Sequence, residues 1–131
     1  MQDATALVYQ ALFADETLLT LLGGKTETIN RIYNSPVAPN ADEYPRLTMF
    51  EVINDDANSA DDEPQDSDVN IRIDYWTKDV STIFSVCKQI KTTLKAAFNA
   101  VSVRIEGTLY EEDTQVYHKP INIFLLLEQE A

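Results

Sequence analysis

A chain of 131 residues with 44% hydrophobic side chains and a formal net charge of −12 has the length of one folded domain and the means to build an apolar core. Its single cysteine, Cys87, excludes an internal disulfide, and no run of about 20 apolar residues offers a membrane-spanning helix. Twenty-two acids against ten bases argue against binding nucleic acid through phosphate neutralisation.

The opening run MQDATALVYQ carries an acid where an export signal would carry lysine or arginine, so the expected compartment is the cytoplasm. Residues 3 to 14 read as a helix, with Asp3 as N-cap and Ala4, Leu7, Val8, Ala11 and Leu12 on one face. Asp15 can cap a second short helical turn bearing Leu18, Leu19, Leu21 and Leu22, and Gly23-Gly24 supplies a left-handed stop. From Lys25 to Pro45 the prolines, asparagines and Asp42 predict irregular chain.

Arg46 to Ile53 reads as a strand entered through Tyr44-Pro45. The acids then crowd together. Asp55, Asp56, Asp61, Asp62, Glu63, Asp66 and Asp68 fall between Asn54 and Asp68 with no lysine or arginine among them, and supply seven of the twelve excess negative charges. A segment with so little to bury is expected to be a mobile loop over about 54–68. Val69 to Thr77 alternates Val69, Ile71, Ile73 and Tyr75 with Asn70, Arg72, Asp74 and Trp76, the two-residue period of a half-buried strand.

Asp79 can cap a long helix to about Asn99, with Ile83, Phe84, Cys87, Ile90, Leu94, Ala97 and Phe98 expected on its packed face. A third strand is expected over Val103 to Leu109 around Gly107. A fourth, Ile121 to Glu128, points Ile121, Ile123, Leu125 and Leu127 one way. The order α-β-β-α-β-β predicts a two-layer α+β domain over 1–131: a mainly antiparallel sheet of about four strands, covered by the N-terminal helix and the long helix.

Chemistry is hard to find in this pattern. None of the three glycines sits in a phosphate-cradling loop, and no nucleophile elbow is present. His118, between Tyr117 and Lys119-Pro120, reads as a solvent-exposed residue at a strand entry, and Cys87 as a buried small hydrophobe. Asp66, Asp68 and Asn70 match the start of a calcium loop, but Ile71 stands where its glycine belongs and Thr77 where its glutamate belongs. Glu111, Glu112 and Asp113 read as a solvated turn. The reading is of a non-enzyme with no cofactor and no metal.

Two surface features remain. Trp76, Phe124 and Leu126 occupy the outward positions of their strands, where a one-sided sheet would carry polar residues. Either another segment covers them or they form a subunit interface. Lys88, Lys91 and Lys95 make a basic stripe at helical spacing, either solvated or facing the acidic segment of a neighbouring copy.

The Tyr44-Pro45-Arg46-Leu47-Thr48 entry, the strand Ile71 to Trp76-Thr77, the helix from Ile83 to Leu94 and the run Glu112-Asp113-Thr114-Gln115-Val116-Tyr117-His118 together resemble the tail-completion, or tail-terminator-like, proteins of long-tailed phages and prophages. The acidic insertion from Asp55 to Ser67 is longer and more charged than that family pattern. The resemblance implies a structural virion protein that forms a ring, hexameric by expectation, at the head-proximal end of the tail. Its partners would be further copies of itself, the tail tube and the head connector, with DNA passing through unrecognised. A negative lumen would suit that passage. The competing reading is an acidic inhibitor that mimics DNA.

Overall fold

Two aspartates start the N-terminal helices. The Asp3 carboxylate accepts from the Ala6 amide at 3.1 Å and caps α1 (Ala4–Phe13). Asp15 accepts from the amides of Thr17 and Leu18 and caps α2 (Glu16–Leu21). Both caps satisfy amides that have no partner inside the helix. Ala4, Val8 and Leu12, four residues apart, are buried, as are Leu18, Leu19 and Leu22. Gly23 closes α2 with a φ of +104°, which a side chain would resist. The computed structural model describes residues 3–23, 31–35, 44–56 and 67–127.

The sheet is mixed and has six strands where four were expected. A short strand, β1 (Ile32–Tyr33), lies in the span expected to be irregular and pairs parallel with β2 (Arg46–Asp56), Ile32 opposite Leu47. Two residues are too few to show a period, so the sequence hides this strand. β2 and β3 (Ser67–Thr77) pair antiparallel and run further than expected into the acidic segment: Asn54 opposes Val69, Asp55 opposes Asp68 and Asp56 opposes Ser67. Asp55 and Asp56 are therefore strand residues and not loop residues, because a ladder is made by backbone groups whatever the side chains carry. Asp61, Asp62, Glu63 and Asp66 lie outside the described residues. A bulge at Val52 shifts the register between Glu51 and Ile53.

The strand expected over Val103 to Leu109 is two strands, β4 (Val101–Ile105) and β5 (Leu109–Glu111), separated around Gly107. Both pair antiparallel with β6 (Val116–Leu127), which starts five residues before the expected Ile121. Pro120 hides that start, since a proline usually marks the entry of a strand and here lies within one. The neighbours run β1-β2-β3-β6-β4, with β5 also on β6.

A short 3-10 turn, Val80–Thr82, capped by Asp79, leads into α3 (Ile83–Ala97). Ile83, Val86, Cys87, Ile90 and Leu94 of α3 share one core with Ile71, Ile73 and Tyr75 of β3 and Ile121, Ile123 and Leu125 of β6. Two residues expected on that face are off it. Phe84 is 76% exposed, Ala97 is also exposed, and Val86 takes the inward place. At about 100° per residue Phe84 falls on the next stripe round, with Lys88, Lys91 and Lys95. Asp15 fastens α2 to α3: its carboxylate accepts from Gln89 at 2.8 Å and from the Thr93 hydroxyl. Burial alone would raise the Asp15 pKa. The hydrogen bonds from Thr93, Gln89 and the Leu18 and Thr17 amides outweigh it and hold this carboxyl below the usual carboxylate value.

Candidate functional site

The ladder registers arrange the face of the sheet turned away from α3 into rows, because residues directly opposite share a face. One row runs Arg46, Trp76, His118, Leu109 and the next Thr48, Asp74, Pro120. Two rows further along lie Ile53, Asn70, Phe124 and Ser102, and beyond them Asp68 and Leu126. The first pair of rows is a closed polar cluster, and the last pair is an open apolar patch.

In the closed cluster the indole of Trp76 stacks on the imidazole of His118 and donates through Nε1 to the Thr48 hydroxyl at 3.0 Å. His118 Nε2 lies 2.6 Å from Asp74 Oδ1, and the Arg72 Nε donates to the same oxygen at 3.0 Å. A carboxylate can only accept, so Nε2 carries the proton. His118 is thus mostly buried, with a side chain 12% exposed, and is not the solvent-exposed residue expected. An Asp–His pair is half of a hydrolytic triad, but among the described residues no serine, threonine or cysteine hydrogen-bonds to His118. One face of its ring is taken by Trp76. The cluster satisfies buried polar groups: Asp74 is 5% exposed and Thr48 2%.

The open patch keeps two of the residues singled out from sequence. Phe124 is 43% exposed and Leu126 42%, whereas Trp76 is partly covered by its own neighbours. Ile53, 50% exposed, joins them. The bulge at Val52 hid it by breaking the alternation that would have marked it as outward. Between Ile53 and Phe124, over Asn70 and beside Asp68, is a shallow cleft of about 250 Å³.

On the helix side a second surface stays open. Val80, Phe84, Cys87, Lys88 and Lys91 from the helical arm, with Ile105 and Lys119 from the strands and Thr108 from the link between β4 and β5, line a groove of about 630 Å³. No acid is among its lining residues. Lys88 and Lys91 stand on its rim as the sequence suggested, Lys119 joins them, and Lys95 lies beyond it in the last turn of α3. Burial pushes the Cys87 thiol pKa up, only partly offset by the positive charge of Lys119. Among the described residues no group of three His, Cys, Asp or Glu could hold a metal ion, and no helix is long and apolar enough to cross a membrane.

A search of curated protein sequences finds no match. Among solved structures, a chain from the virion of a native gene transfer agent particle superposes with a TM-score of 0.61 at 17% identity, covering 95% of this chain and 93% of that one; at such identity the likeness concerns the fold. The family model for the tail completion protein gp17 matches residues 6–125. With nearly its whole length matched, the chain belongs to the tail completion protein gp17 family of phage structural proteins.

Proposed function

We propose that this chain forms a ring at the head-proximal end of a phage tail, where it completes the tail and joins it to the head connector. The observation that carries this reading is that two apolar surfaces are left open on opposite sides of the sheet, Phe84 with its groove on the helix side and Ile53, Phe124 and Leu126 on the other. Open apolar patches mark contact sites, and a subunit with two dissimilar ones makes head-to-tail contacts that close into a ring when the rotation allows. Six copies are the expected number. The acidic segment, with Asp61, Asp62 and Glu63, gives such a ring a negative charge that repels phosphates, so DNA passes without being held. The DNA-mimic alternative draws no support from the family. Electron microscopy of the purified protein, alone and mixed with tail tubes of its own phage, tests the proposal. Ring-shaped particles seated at one end of the tubes are expected. A protein that binds neither tube nor connector overturns it.

A further inference from the structure

The two open surfaces match each other in chemistry and in spacing. Phe84, Lys88, Lys91 and Lys95 lie at steps of four, three and four residues, one stripe along α3. On the far side of the sheet, the row of Ile53, Asn70 and Phe124 is followed two residues along the strands by the row of Asp68 and Leu126. Four helical residues advance about 6 Å, and two strand residues advance about 6.7 Å. A phenylalanine followed by a lysine at that interval thus matches in spacing a cleft centred on the row of Ile53, Asn70 and Phe124, with Asp68 at its edge one row along.

We infer that Phe84 of one copy seats in the cleft between Ile53 and Phe124 of a second copy, with Lys88 facing Asp68. The contact cannot form within one chain, because α3 packs on the inner face of the sheet and the cleft opens on the outer. An aromatic anchor entering a pocket beside complementary charge is the usual make-up of a strong contact. This pairing rests on the reading of the chain as a self-assembling subunit and gives that reading its interface.

The pairing is tested with three proteins: the native sequence, a stripe variant (F84D/K88E) and a patch variant (I53D/F124D), each checked for native circular dichroism and weighed by sedimentation velocity over a concentration series. The native protein should assemble, and each variant should have a dissociation constant at least about tenfold higher. The two variants mixed should give a heterodimer and nothing larger, since each retains only one half of the contact. If either variant is poorly folded, K88E/K91E should disperse the assembly and adding D68K to the same chain should restore it in part. Variants that assemble like the native protein, a mixture that fails to pair, or a native protein that stays monomeric would each overturn the inference. Variants that still seat on tail tubes as the native protein does would overturn the pairing while leaving the ring reading intact.

Discussion

The indole of Trp76 lies flat on the imidazole of His118, with ring centres 3.9 Å apart and planes within 8° of parallel. The two face each other because β3 and β6 pair in a register that sets Trp76 opposite His118 and Asp74 opposite Pro120. His118 therefore covers the indole with its ring while its Nε2 holds Asp74. Replacing it by alanine uncovers Trp76 and leaves the Asp74 carboxylate one donor short in a nearly buried place. His118→Ala is expected to cost about 2–3 kcal/mol, as the loss of a ring stack together with a hydrogen bond to a charged group. Urea unfolding checks this, and His118→Phe, which retains the stack alone, should recover part of the loss. An unchanged midpoint for His118→Ala would show that the cluster contributes nothing.

Asp15 gives the fold a sensitivity to acid. Its folded pKa lies below the ordinary aspartate value of 3.8, so the unfolded chain binds its proton more readily. The stability it adds is complete above that unfolded value and disappears as pH falls through the lower folded value. Asp15→Asn should be less stable than the native protein at pH 7, since a neutral amide accepts more weakly from Thr93, Gln89 and the cap amides. The difference should begin to shrink below about pH 4, where the unfolded carboxyl takes up its proton, and go on shrinking as pH falls through the lower folded value. Thermal unfolding at pH 7 and pH 3 measures both gaps. Equal gaps would mean that the α2–α3 tie does not depend on the charge.

Periodic elements were legible in the sequence and paired ones were not. The alternation of Val69, Ile71, Ile73 and Tyr75 and the spacing of Ile83, Cys87, Ile90 and Leu94 announce β3 and α3, because each residue's burial is set by its own element. The Asp3 and Asp15 caps were equally local. Asp74 and His118, by contrast, are 44 residues apart and meet only through register, which no single strand encodes. Phe84 was misplaced because a stripe two residues wide on a helix wheel can be assigned to either side until the sheet fixes which side is covered. Of the candidate surface residues, Phe124, Leu126, Lys88 and Lys91 stand on open surfaces, while Trp76 is taken up by Thr48 and His118. Ile53 and Lys119 emerge only once the bulge and the full length of β6 are known.

Cys87 lies at the wall of the α3 groove, yet only 4% of it is exposed. Burial raises its thiol pKa and so lowers the fraction present as thiolate, the reactive form. At pH 8 its reaction with a small disulfide reagent should be at least about tenfold slower than that of a free cysteine and should reach the free rate once urea unfolds the chain. A fast reaction in the folded protein would mean that the groove opens to its floor.

Tyr75 is fully buried, and its phenol shares a hydrogen bond of 2.9 Å with the Thr82 hydroxyl at the turn leading into α3. Burial raises its pKa above 10.0, and the hydrogen bonds with Thr82 and Thr77 only partly counter that. A neutral phenol with a raised folded pKa adds stability below pH 10 that is lost as pH climbs through the higher folded value. Tyr75→Phe should cost about 1 kcal/mol at pH 8, the usual worth of one hydrogen bond whose partner can turn to water. Above pH 10 the native protein must either bury a phenolate or begin to open, whereas the phenylalanine variant has no such group. The gap between them should therefore narrow, or change sign, by pH 11. Urea midpoints at the two pH values decide the matter. A constant gap would show that the Tyr75 hydroxyl reaches solvent more readily than its packing against α3 implies.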